Sequence, residues 1–134
     1  MRLRWATVVL ALMACMGCRS GHTPKWNALA APTSALVNRV WVRSDSTGLP
    51  GVMRIFLSDG TLLMDSCWET YQLVKWRAVS DSVVAWREGN IEVRGTILEL
   101  ASGRLVLRLD LVNGSQTEHY RVGSVPYLCP DMRR

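Results

Sequence analysis

The chain has 134 residues, a formal charge of +5 and four cysteines, which is enough for one core of ordinary size and not for two. The basic balance, with a pI near 9.4, comes from the two ends, because between Arg39 and Arg121 ten basic side chains meet ten acidic ones. Nucleic-acid binding is set aside, since it needs cations gathered on one face and a chain routed out of the cytoplasm meets no genome.

Routing is written at the start. Arg2 and Arg4 precede an apolar run, Trp5 to Met13, that has the length of a signal-peptide core and is too short to span a bilayer. The stretch that follows resembles the bacterial lipobox, where a small or aliphatic pattern ends on a cysteine that receives diacylglycerol. Two registers fit: Leu12-Met13-Ala14-Cys15, with the aliphatic residue and alanine in place, and Cys15-Met16-Gly17-Cys18, with the glycine in place. Cys15 is the expected lipidation site and Cys18 the alternative. A metal or redox Cys-x-x-Cys pair is the weaker reading, because the pair sits in a processed segment and no second ligand pair at metal spacing follows.

On this reading residues 1–14 are a lipoprotein signal peptide and 15–35 a flexible tether, rich in Gly, Ser, Thr and Pro. Removing Arg2 and Arg4 lowers the charge from +5 to +3. Arg19 and Lys25 then lie beside the anchor, where each cation close to anionic headgroups adds about 1 kcal/mol. Trp26 and His22 belong to the tether.

Residues 36–134 read as one all-β domain. Short β-rich runs are expected at Leu36–Arg43, Gly51–Ser58, Thr61–Cys67, Thr70–Val79, Ser82–Glu88, Ile91–Leu100, Arg104–Val112 and Ser115–Val122, with turn signals at the spacing of a sandwich or barrel. Asp59-Gly60 and Asn113-Gly114 are expected to be type I′ hairpin pairs, since both tolerate positive φ. The alternation is clearest in RLVLRLDLV, where Leu105, Leu107, Leu109 and Leu111 share a face. In NIEVRGTILEL the apolar parity flips near Gly95, which points to a bulge there. Every connection except Ser44–Pro50 is hairpin-short, so consecutive strands should be antiparallel neighbours. About eight strands in an up-and-down meander can close into a small barrel and remove the exposed edges.

Several residues of this meander resemble the small lipocalin-like lipoproteins of bacterial envelopes: Trp41 on the first strand, FLSDGTLLM from Phe56 to Met64, Trp76 and Trp86 on a middle hairpin, and EHYRV from Glu118 to Val122. The larger lipocalins carry a glycine two residues before the first-strand tryptophan, where this chain has Arg39. The resemblance implies a last-strand arginine, Arg121, stacked on Trp41. It also implies a non-enzymatic barrel holding a small apolar ligand, for which Trp41, Phe56, Trp76 and Trp86 are the candidate binding residues. Lysozyme-inhibitor and META-type envelope proteins share the size and the β-rich character. Accordingly, the alternative function is an interaction or inhibitor module that grips another envelope protein.

Two cysteines remain in the domain, Cys67 and Cys129. In an oxidising compartment a disulfide between them is the default, with a worth of roughly 4 kcal/mol in the chain-entropy account. Asp65 and Glu69 flank Cys67, and His119 is the domain's one histidine. Neither set has the partners that acid–base, triad or metal chemistry requires, so no catalytic residue, metal or cofactor is assigned. The expected location is the envelope, on a lipid anchor facing the periplasm. The residue after either candidate cysteine is not the aspartate that retains enterobacterial lipoproteins in the inner membrane, so the lean is to the outer membrane. A small apolar ligand or an envelope protein is the expected partner beyond the membrane itself.

Overall fold

The computed structural model describes residues 31–45 and 49–129. Cys15, Cys18, His22, Trp26 and the middle of the Ser44–Pro50 loop lie outside them. A short helix, α1 (Ala31–Leu36), leads into eight strands: β1 (Trp41–Arg43), β2 (Met53–Phe56), β3 (Thr61–Asp65), β4 (Gln72–Ser80), β5 (Val83–Glu88), β6 (Ile91–Ala101), β7 (Arg104–Leu111) and β8 (Gly114–Val122). All neighbours are antiparallel, and β1 pairs with both β2 and β8, so the sheet closes into an up-and-down barrel. Closure leaves no free edge strand, which removes the template for edge-to-edge association.

Alternation decides what fills the tube. Leu105, Leu107 and Leu109 point inward from β7, as the sequence pattern requires, and opposite them β6 contributes Leu100, Ile97 and Gly95. Across the lower two-thirds of the interior Trp41, Phe56, Leu62, Trp76, Val84, Trp86 and Leu105 form one buried cluster. Phe56 meets Trp76 edge-on at 5.3 Å and Trp86 at 6.3 Å between ring centroids, the geometry favoured by the ring quadrupoles. Leu36, fully buried at the end of α1, plugs the bottom, and its carbonyl accepts the Trp41 indole N–H at 2.8 Å. This end, with the hairpin turns at 57–60 and 101–104, is the closed end. The other, with the 65–72 connection and the 88–91 and 111–114 turns, is the mouth.

Four local expectations change. The first strand does not begin at Leu36: residues 31–36 form α1, whose Leu36 is worth more as a plug than as a strand residue. The bulge on β6 falls between Ile97 and Glu99, leaving Leu98 half exposed, and not at Gly95. Gly95 is small for a different reason, because a Cβ there would lie 3.3 Å from the Trp86 ring and 3.4 Å from Leu109. Positive φ at both central residues occurs at Ser102-Gly103 (52° and 76°), which makes the I′ turn, whereas at Asp59-Gly60 and Asn113-Gly114 only the glycine is positive. Asp59 instead accepts the Thr61 N–H at 2.8 Å, a side-chain turn closure that also holds its carboxyl below the usual range. Finally, Arg121 does not reach Trp41. It stands opposite Val42 on the outer face, whereas Trp41 points inward, since one step along a strand switches sides.

Cys67 and Cys129 are bonded to each other, 62 residues apart in sequence. The bond carries the C-terminal tail across the outside of β1, where a Cβ at Gly51 or at Gly123 would lie within 3.5 Å of the Tyr127 ring. Under this strap the outward-facing Val42 is only 2 % exposed.

Candidate functional site

Above the aromatic core the interior changes character. On β2, β-alternation turns Arg54 inward one step above Phe56, and on β8 it does the same for Glu118 above Tyr120. The Arg54 guanidinium donates to the Tyr120 hydroxyl oxygen at 2.7 Å and to Glu118 Oε2 at 3.1 Å, and it lies 5.1 Å above the Trp86 ring. Tyr120 in turn donates a short hydrogen bond to the same Glu118 oxygen. The other oxygen, Oε1, faces Arg43 Nη1 at 3.4 Å, and Arg43 Nε holds Asp45 at 2.6 Å. Arg54 also points Nη1 at the Met64 sulfur, 3.2 Å away.

Burial and charge oppose one another in this cluster. Desolvation alone would lower the Arg54 guanidinium, but Tyr120 and Glu118 outweigh it and hold the group above its ordinary value. Burial pushes the Tyr120 phenol well up, with Glu118 adding to the rise and Arg54 opposing it. The cluster is thus a locked ion pair with a neutral phenol. Among the described residues no buried side-chain polar atom is left without a partner, as a buried network demands. A cluster whose polar groups all engage one another positions the upper wall of the barrel.

Over this floor opens a cup of about 300 Å³ lined by Arg54 and Met64 below and by Asp65, Glu69, Gln72 and Glu88 around it. Asp65 and Glu69, flagged from the sequence, thus reach one rim, joined by Glu88, whose carboxylate accepts the Trp86 indole N–H at 2.7 Å. Asp65 is used locally, accepting the Ser66 N–H at 2.7 Å. The loop that follows exposes two large rings, Trp68 at 68 % and Tyr71 at 58 %, while the disulfide fixes its root at Cys67.

Trp41, Phe56, Trp76 and Trp86 all point inward and all are buried. They fill the lower interior, packing against one another, and the indole N–H groups of Trp41 and Trp76 donate to backbone carbonyls, Trp41 to Leu36 at 2.8 Å and Trp76 to Leu57 at 3.0 Å. His119 faces outward on β8, and its backbone N–H meets Asp45 at 3.3 Å. Arg54, Glu118 and Tyr120 were missed by the sequence reading. The available signal was Arg-x-Phe and Glu-x-Tyr at strand spacing, a charged residue sharing the face of a buried ring. No protein family, curated protein or solved structure matches the chain, so the likeness to lipocalin-like envelope lipoproteins rests on the residues that suggested it.

Proposed function

We propose that this protein is a lipid-anchored, non-enzymatic interaction module of the cell envelope that engages another envelope protein through the mouth of its barrel. The observation that carries the reading is the filled interior. Four inward aromatic rings and a satisfied ion cluster occupy the tube, as side chains fill the interior of many eight-stranded barrels, and the open space left is the cup at the mouth. What the mouth presents is a rigidly rooted loop with an exposed tryptophan and tyrosine, residue types that dominate binding energy at protein interfaces. The export signal and its candidate acylated cysteine, Cys15 or Cys18, supply the anchor.

The test is photo-crosslinking in intact envelopes from a reactive side chain placed at position 68 or 71, read by mass spectrometry. One recurrent envelope protein, captured from the mouth and not from a site on the outer wall such as position 108, is the expected result. Saturable binding of a fatty-acid probe with quenching of tryptophan emission, and no recurrent crosslink, would return the protein to the ligand-carrier class.

A further inference from the structure

Near the closed end, the outer face of β7 and β8 gathers two arginines and the domain's histidine around a recess. Leu105 and Tyr120 point inward and are buried, so their neighbours Arg104, Val106, His119 and Arg121 point outward, since one step along a strand switches sides. Arg104 stands directly opposite Arg121, and Val106 opposite His119. The Val122 N–H donates to the Gly103 carbonyl at 2.8 Å, which makes Gly103/Val122 a hydrogen-bonded pair and Arg104/Arg121, one step on, a pair of the other kind. In such pairs the Cα atoms approach to about 4.5 Å and the side chains stand closest. Like charges placed this way repel. Glu99 approaches Arg104 at 3.4 Å, but from β6, on the side away from Arg121, and both side chains of that pair are well exposed, so it offsets little. Arg121 makes no ion pair among the described residues.

The recess encloses about 390 Å³, with Arg104, Val106, His119 and Arg121 on one side and Ser44 and Asp45 on the other. Its depth shows in Val106, which points outward and yet is only 8 % exposed. The far wall is fixed to β8: the Ser44 N–H donates to the His119 carbonyl at 2.8 Å, and Asp45 accepts the His119 N–H at 3.3 Å. The other Asp45 oxygen is held by Arg43 Nε at 2.6 Å, so the carboxylate in the lining is offset from behind. Two guanidiniums and an imidazole are left facing the recess, and the His119 ring makes no hydrogen bond among the described residues.

We infer that this recess binds a phosphate group, free or at the head of a lipid, between the Arg104 and Arg121 guanidiniums, with the His119 ring as a third donor. A guanidinium fork matches two phosphate oxygens at once. A tetrahedral anion keeps further oxygens for donors from other directions, whereas a planar carboxylate spends both of its oxygens on one fork. A phosphate seated there also replaces the Arg104–Arg121 repulsion with two attractions. The recess opens on the outer wall near the closed end, so it is separate from the partner contacts proposed for the mouth.

The experiment compares three full-length chains: the natural one, R104Q/R121Q, and K75Q/R87Q as a charge-matched control on β4 and β5. All four positions are exposed, and circular dichroism checks the fold of each chain. In the first arm inorganic phosphate is titrated at constant ionic strength against chloride, and the arginine Nε–H and His119 ring signals are followed by NMR. Saturable shifts are expected at Arg104, Arg121 and His119. Read at His119, the affinity should fall at least about tenfold in R104Q/R121Q and stay unchanged in K75Q/R87Q. In the second arm short-chain phosphatidic acid, kept below its micelle concentration, replaces the phosphate. Binding at least about tenfold tighter than that of phosphate, and lost in R104Q/R121Q, assigns the site to a lipid headgroup; equal or weaker binding assigns it to free phosphate. If R104Q/R121Q does not fold, R104K/R121K takes its place, keeping the charge and losing the forks, and the affinity should still fall. No saturation in either arm, or equal affinities in R104Q/R121Q and K75Q/R87Q, overturns the inference.

Discussion

The lower and upper halves of the barrel interior are built from the same strands on opposite principles. Below, Trp41, Phe56, Trp76 and Trp86 exclude water and carry no charge. Above, Arg54, Glu118, Tyr120 and Arg43 form a charged lattice, of which Arg54 lines the cup. Burying apolar rings is favourable by roughly 1.5–3 kcal/mol each, whereas a buried ion pair only about recovers its desolvation cost. The comparison teaches that stability resides in the closed half. The charged half fixes the shape of the mouth at little net gain.

Substitutions in the two halves test that division. Trp86→Ala removes the ring that both caps the lower core and lies under Arg54, and a loss of about 3–5 kcal/mol is expected in urea denaturation. Glu118→Leu leaves Arg54 buried beside an apolar side chain, with an expected cost of about 3 kcal/mol. The triple change Arg54→Met, Glu118→Leu and Tyr120→Phe should recover most of this, to within about 1 kcal/mol of the natural chain. A triple variant as damaged as the single one would show that the lattice stabilises in its own right.

Smaller effects refine the picture. The Tyr120 phenol is held above its ordinary value of 10.0, so above about pH 10 the unfolded chain releases a proton that the folded one keeps. Stability therefore falls as pH rises from there, and Tyr120→Phe should flatten the decline in the denaturation midpoint. At the rim, Trp68→Ala and Tyr71→Ala should shift stability by no more than about 0.5 kcal/mol while weakening capture of the proposed envelope partner. Loss of fold in either variant would mean that the exposed rings pack more tightly than their 68 % and 58 % exposure indicates.

Much of this was legible from the chain alone, for reasons that differ by element. The strand count and the meander followed from short connections, and the face of β7 followed from four leucines in strict alternation. The disulfide followed from the expectation of an oxidising compartment and from the cysteine number. β1 and β2 resisted because they have only three and four residues, too few for alternation to fix a phase: Met53 and Ile55 look like a core pair, yet Arg54 and Phe56 face inward. The resemblance put Arg121 against Trp41, but the two face opposite sides of the sheet, and the cation–π contact belongs to Arg54 and Trp86. Charge was least legible of all. Ten against ten reads as balance, and only the pairing register shows that Arg43 and Arg54 turn inward while seven of those ten cations face outward from β4–β8.

β1 makes only two register pairs with β2 and three with β8, and those partners come from opposite ends of the domain. The seven hairpin-linked strands β2–β8 can assemble from local contacts as they emerge, but β1 waits for the last strand before it has both neighbours. Long-range pairings of this kind are the slow ones. The barrel is therefore a structure that becomes a ring only when translation of the domain is over, and until then the chain is a sheet with two open edges.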